Sequence, residues 1–189
     1  MGWTLDKTHA QVGFTARHMM VSKVHGVFKD FDATIEIDEE APERSYVEAS
    51  IAAASVDTKM PDRDAHLRSP DFFDAEQHPY IRFRSRSVSR PSEGQLEVVG
   101  DLTIRDVTRE VHLKGDYEGP VSDPWGGKRI GVSLSGDVDR EAFGLVWNMV
   151  TEAGGFLVGK NIKLSIDAEL VQTPGESEEN AAKDAVTAG

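Results

Sequence analysis

Eight stretches of this chain place apolar residues at every second position, and that period is the constraint any fold for it must satisfy. A period of two belongs to strands with one buried face. Residues 9–18 put Ala10, Val12, Phe14, Ala16 and His18 on one side, and 27–38 put Val27, Phe31, Ala33, Ile35 and Ile37 there. Phe28 breaks the parity next to Gly26, which predicts a bulge or bend. Residues 45–56 carry Val47, Ala49, Ile51 and Ala53 on one face, and 80–90 alternate Ile81, Phe83, Ser85 and Ser87 with Arg82, Arg84 and Arg86. Three alternating arginines cannot be buried unpaired, so that face meets water. Strands follow over 96–104, 107–117, 128–140 and 162–171, with Leu134 and Gly136 on the inward face of the seventh. A parallel sheet needs helices between strands and continuous apolar runs, and neither occurs. The reading is all-β, an eight-stranded antiparallel up-and-down barrel, because closure removes the exposed edges. A two-sheet sandwich is the other arrangement compatible with this pattern.

The alternation stops once, over Arg63-Asp64-Ala65-His66-Leu67-Arg68-Ser69-Pro70-Asp71-Phe72-Phe73-Asp74. Pro61 and Pro70 can each open a short helix, since the N–H they lack would be unpaired there. Ser69 suits an N-cap, and Asp71 and Asp74 suit the positive end of a turn. A helical insertion around 61–74 among strands covers a sheet edge or a barrel mouth. Its mixture of Arg63, His66 and Arg68 with Phe72 and Phe73 fits a lid with a polar rim over an apolar interior.

Composition narrows the partners. A formal charge of −12 argues against nucleic acid and anionic membrane surfaces. There is no cysteine, hence no disulfide and no thiolate chemistry. No stretch reaches the roughly 18 apolar residues needed to span a bilayer. The first residues, Met1-Gly2-Trp3-Thr4-Leu5-Asp6-Lys7, lack the form of a signal peptide, so a cytoplasmic location is expected. From Thr173 the chain turns acidic and holds no apolar side chain larger than valine. The division is therefore a barrel over 1–172 and a disordered acidic tail over 173–189.

The chemistry-bearing residues form no catalytic signature. His9, His18, His25, His66, His78 and His112 show no ligand spacing, so no metal is expected. There is no G-x-S-x-G, and Arg63, Asp64 and His66 fit a salt-bridged turn as well as a catalytic group. His18 and His66 can each make a local hydrogen bond or contact a ligand head group at one end of the barrel. Val146-Trp147-Asn148 in a glycine-rich connection suits rim packing or a ligand clamp. What remains is the interior: Ala33, Ala49, Ala53, Ser85, Gly136 and Ala168 among Val, Ile, Leu and Phe leave room for an apolar guest.

Together these residues resemble the YceI-like family of polyisoprenoid-binding, lipocalin-like proteins, from Trp3 to about Val171. The pieces are Asp6-Lys7-Thr8-His9, Phe14 and His18, Gly26-Val27-Phe28, Arg63-Asp64-Ala65-His66-Leu67 with Asp71-Phe72-Phe73-Asp74, and His78-Pro79 with Ile81-Arg82-Phe83. Gly100-Asp101-Leu102-Thr103-Ile104 and Arg140 before Phe143-Gly144-Leu145-Val146-Trp147 complete it. Ala10 and Asp106 depart from the common Ser and Gly. The resemblance implies an extended lipocalin-like barrel with a long tunnel, a bound polyisoprenoid or related amphiphile such as a quinone precursor, and often a homodimer. The expected ligand-binding set is Phe14, Phe28, Ala49, Ile51, Ala53, Phe72, Phe83, Leu134 and Trp147, with head-group contacts from His18, Arg63 and His66. The expected function is a non-enzymatic lipid carrier, store or sequestering protein without cofactor or stable membrane insertion. The alternative is an enzyme acting on an isoprenoid or quinone through the rim histidines and arginine.

Overall fold

The computed structural model describes residues 2–172, and the acidic tail expected over 173–189 lies outside them. Ten strands form: β1 (Thr4–His18), β2 (Ser22–Phe28), β3 (Phe31–Glu36), β4 (Tyr46–Ala52), β5 (Val56–Asp57), β6 (Tyr80–Ser89), β7 (Gln95–Ile104), β8 (Val107–Ser122), β9 (Lys128–Asp139) and β10 (Asn161–Gln172). They make one antiparallel sheet in the order β3-β4-β6-β7-β8-β9-β10-β1-β2-β5. The sheet curls into a barrel, with β3 returning to the first half of β1. That seam is made by a Trp3–Ile35 bridge and by Lys7 Nζ donating to Asp32 Oδ2 at 2.9 Å.

The two extra strands have a physical cause. The single strand expected over 27–38 is broken at Lys29-Asp30, so that Phe28 and Phe31, three residues apart, both line the interior. An odd spacing on one face requires an added residue, as the parity break at Phe28 predicts. Phe28 is buried and Val27 is not inside, which reverses the facing expected from the alternation. β5 is a two-residue pairing with β2. A second bulge, between Ser85 and Ser87, turns Ser87 outward and Val88 inward, whereas alternation alone puts Ser87 inside.

Packing follows the inner face. Phe28, Ile51, Ile81, Phe83, Val98, Leu102, Val111, Leu113 and Leu134 belong to one core cluster, while Arg82, Arg84 and Arg86 are exposed as expected. A smaller cluster of Trp3, Ile130 and Leu170 anchors the seam at the other end. Two glycines give phenylalanine rings their places. A Cβ on Gly26 would collide with the Phe14 ring, and one on Gly100 would stand 2.6 Å from Phe83 Cζ.

Between β5 and β6 lies α1 (Pro61–Arg68), opened by Pro61. Pro70 does not open a second helix. Ser69 closes α1 instead, its N–H and Oγ both donating to the His66 carbonyl, and turns lead on to β6. Asp64, buried inside α1, accepts from the N–H and Oγ of Thr58 at 2.8 and 2.6 Å and ties the helix to the chain before it. None of the helices among the described residues is long and apolar enough to cross a membrane.

Candidate ligand-binding cavity

The barrel is not filled by its own side chains. β9 and β10 are 12 residues each. Strands of that length, tilted by about 40°, span roughly 30 Å along the axis. Inside lies a cavity of about 460 Å³ whose wall is drawn from nearly every strand. Ala10, Val12, Ala16, Ala33, Ala49 and Ala168 face it and are only half-buried, because there is open space in front of them. Small residues facing aliphatic and aromatic ones leave this volume. Ala49 is flanked by Ala33 on β3 and Phe83 on β6, and the two alanines place no side chain beyond a methyl into the bore.

The two ends of the cavity differ. At one end α1 and the turns after it form a floor. Leu67, Phe72 and Phe73 face the cavity, Phe73 packs on Phe28 with ring centroids 5.6 Å apart, and Phe28 packs on Phe14 at 5.6 Å. Arg105 Nη1 reaches the carbonyls of Pro70 and Phe72 and fastens this floor to the β7–β8 turn. Leu145 and Val158 of the β9–β10 connection complete it.

That connection is held by one buried side chain. Arg140, 5% exposed, donates from Nε to the Gly159 carbonyl, from Nη1 to those of Leu145 and Trp147, and from Nη2 to that of Val158. Burial draws its pKa below the ordinary arginine value. Four carbonyl oxygens surround the charge in place of a carboxylate, which offsets its desolvation.

At the other end the exposed lining residues are polar or turn residues: Glu36, Glu39, Arg90 and Pro120. Arg90 Nη2 donates to the Glu39 carbonyl at 2.9 Å, and its guanidinium lies 5.9 Å from the Tyr117 ring centroid. This end is the mouth. A bore lined mostly by apolar side chains, with Glu39 and Arg90 at its mouth, suits an amphiphile, whose chain gains by leaving water while its head keeps hydration.

Seven of the expected ligand residues line the cavity: Phe14, Phe28, Ala49, Ile51, Phe72, Phe83 and Leu134. Ala53 does not. It opens a 3₁₀ turn, Ala53–Ser55, is 1% exposed and sits in the solid core, because the strand ends at Ala52. The expected head-group trio does not face the bore either. His18 is exposed at the tip of the β1–β2 hairpin. Arg63 donates to Thr58 Oγ1 and to the Thr58 carbonyl at 2.7 and 2.9 Å, holding the approach to α1. His66 bonds Asp71 through Nε2 at 2.8 Å and lies edge-on between Phe72 and Trp147, with centroids at 5.1 and 4.5 Å. Trp147 therefore clamps α1 from outside the cavity. The mouth residues come from two connections, which hold Glu39 and Arg90, and from strand β8, which holds Tyr117, and no spacing in the chain announces them.

One cluster unites residues far apart in sequence. The β1–β10 register slips between Asp6 and Gln11, and in that bulge His9 Nδ1 lies 2.9 Å from Asp6 Oδ2 and 4.0 Å from Glu169 Oε2. Asp6, His9 and Glu169 offer ligand-type atoms within 4.8 Å of one another. The positive charge there is already supplied: Arg129 donates to Asp6 at 3.4 Å, to Asp123 at 3.1 Å and to Glu169. The hydrogen bond from His9 holds the Asp6 carboxyl down at about 2, and the same bond raises the His9 ring above its ordinary value.

A curled antiparallel sheet around an unfilled apolar bore, capped by a short helix, is a hollow β barrel of the lipocalin-like class. Residues 3–170 match the YceI-like domain, and the chain belongs to that family. It is 35% identical over 169 residues to a UPF0312 protein of Staphylococcus epidermidis, covering 89% of this chain and 96% of the relative. Among solved structures, the Campylobacter jejuni YCEI protein superposes with a TM-score of 0.72 at 31% identity, over 90% of this chain and 98% of that one. BcnA of Burkholderia cenocepacia shares the fold, with a TM-score of 0.75 at 20% identity over 89% and 99% of the two chains. So does a polyisoprenoid-binding domain from Saccharophagus degradans, with a TM-score of 0.63 at 11% identity over 92% and 99%.

Proposed function

We propose that this protein binds a polyisoprenoid or a related long-chain amphiphilic lipid in the barrel, as a carrier, store or sequestering protein, without chemical change to the ligand. The observation that carries this reading is the half-buried apolar inner face: residues that a packed core would cover instead border an open bore of about 460 Å³. The chain lies along Phe14, Phe28, Ala49, Ile51, Phe83 and Leu134, with Phe72 at the floor. The head group sits at the mouth beside Arg90, Tyr117 and Glu39. The name of the Saccharophagus degradans domain, which shares the fold, is consistent with such a ligand. An enzymatic reading through His18, Arg63 and His66 draws no support from their positions, since each is engaged away from the bore.

The test is native mass spectrometry of protein made in its own host, followed by organic extraction. A stoichiometric lipid recovered unchanged is expected. An empty protein that also fails to take up prenyl quinones would overturn the reading, and recovery of an altered lipid would reinstate the enzyme.

A further inference from the structure

At the tip of the β1–β2 hairpin stands a turn that its residues do not favour. The Val21 N–H bonds the His18 carbonyl at 3.1 Å, and the two central residues have φ of 53° and 62°. Positive φ at both central positions defines a type I′ turn, which prefers Asn-Gly because a large side chain is strained there. Here those residues are Met19 and Met20, both exposed, followed by Val21 at 85% exposure. Two bulky apolar side chains are thus held in water at a position where the backbone itself disfavours them.

The neighbouring connection presents the same chemistry. Residues 149–156 form a small hairpin closed by a Val150–Phe156 bridge, with Met149, Val150 and Phe156 more than half exposed. The two tips are joined. Met19 N–H bonds the Leu157 carbonyl at 2.8 Å, His18 bridges Val158, and a Cβ on Gly155 would stand 3.2 Å from Met20 Sδ. The result is one projecting apolar surface at the floor end of the barrel.

Charge is distributed to match it. The whole chain carries −12, yet residues 14–26 contain Arg17 and Lys23 with no acid, and residues 144–163 contain Lys160 and Lys163 with Glu152 alone. Asp139 pairs with Lys160 at 3.7 Å from the end of β9, and no ion pair engages Arg17 or Lys23 among the described residues. Apolar tips flanked by cations fit the surface of an anionic bilayer, where the side chains enter the acyl boundary and the cations meet the head groups. A second copy of this chain would bring like charges together at the same patch.

We propose that this end of the barrel docks reversibly on anionic lipid surfaces through Met19, Met20, Val21, Val150 and Phe156, with Arg17 and Lys23 contacting the head groups. The proposal does not depend on what the bore contains. It does place the bilayer against the 144–160 segment, whose inner residues Leu145 and Val158 close the cavity floor.

Flotation of the full chain with vesicles of phosphatidylcholine plus phosphatidylglycerol, and with phosphatidylcholine alone, tests it. Binding to the anionic vesicles, weakened by salt, is expected. Arg17→Gln with Lys23→Gln should lower the partition coefficient by about tenfold or more. Met19→Asn with Met20→Gly separates docking from structure, because Asn-Gly suits this turn: the melting temperature should hold or rise while vesicle binding is lost. Three results would each overturn the proposal: no flotation of the wild-type chain, equal binding to neutral vesicles, or a large fall in melting temperature in the Asn-Gly variant. A dimer in light scattering that the Asn-Gly variant abolishes, with no vesicle binding, would assign the patch to a second copy instead.

Discussion

At Gly26 a methyl group would meet the far end of the Phe14 ring, which borders open cavity and can swing into it. Gly26→Ala should therefore lose little stability, near the low end of the roughly 1–3 kcal/mol of overpacking, while reducing the bore. At Gly100 the added methyl meets the Arg84 carbonyl at 2.5 Å as well as the Phe83 ring. Backbone cannot move aside, so Gly100→Ala should melt several degrees below Gly26→Ala in parallel scans. In the β1 bulge, the raised pKa of His9 means its bond to Asp6 stabilises fully below the ordinary histidine value of 6.5 and is lost as pH rises through the higher folded value. The lowered pKa of Asp6 keeps its own contribution above its ordinary 3.8, losing it only as pH falls through about 2. NMR titration of the His9 ring should show a midpoint above 6.5 that falls back toward 6.5 in Asp6→Asn. An unshifted midpoint in the wild type would show that the pair does not form in solution.

Among the elements, α1 depends on a buried carboxylate rather than on an N-cap, since Met60 offers no side-chain oxygen there. Asp64→Ala leaves the Thr58 N–H and hydroxyl without their acceptor, which costs about 1–3 kcal/mol. Hydrogen exchange over α1 should accelerate more than over β7 or β8; uniform acceleration would show that the helix and the barrel open only together. The strands were legible because period two survives in any sheet with one wet face, and the inward set Phe14, Ala49, Ile51, Phe83 and Leu134 follows from it directly. What misled was every place where the period breaks. The break at Lys29-Asp30 and the bulge at Arg86 reverse facing, and a strand ending at Ala52 removed Ala53 from the wall. Polar residues near the insertion read as a rim because sequence shows that His66 is close to Phe72 without showing on which side of it the bore lies.

For the molecule as a whole, the unfilled interior makes two alanines behave oppositely. Ala49→Trp puts an indole into the bore, so the ligand-free protein should melt near the wild type while its lipid uptake collapses. Ala53→Trp must enter packed core and should unfold the domain or lower its melting temperature sharply. If Ala49→Trp unfolds as Ala53→Trp does, the bore is not open in solution. Net charge is an average at this scale: −12 belongs to the whole chain, whereas residues 14–26 carry Arg17 and Lys23 with no acid.

The seam between β1 and β3 has a mechanical consequence. Nine ladders join ten strands, and the ring is completed by one bridge and an exposed Lys7–Asp32 pair. Such a barrel is a split ring, whose bore is set by the summed hinge angles of its joints rather than by strand number. Slight opening at each ladder adds up to a wider gap at the seam, with only the Trp3–Ile35 bridge and the Lys7–Asp32 hydrogen bond broken and the nine ladders intact. On the proposed lipid-binding function, one barrel would then take chains of different girth. At about 1 M salt, where electrostatic interactions reach only some 3 Å, the Lys7–Asp32 pair holds the seam less, and uptake of branched chains should rise relative to slender ones.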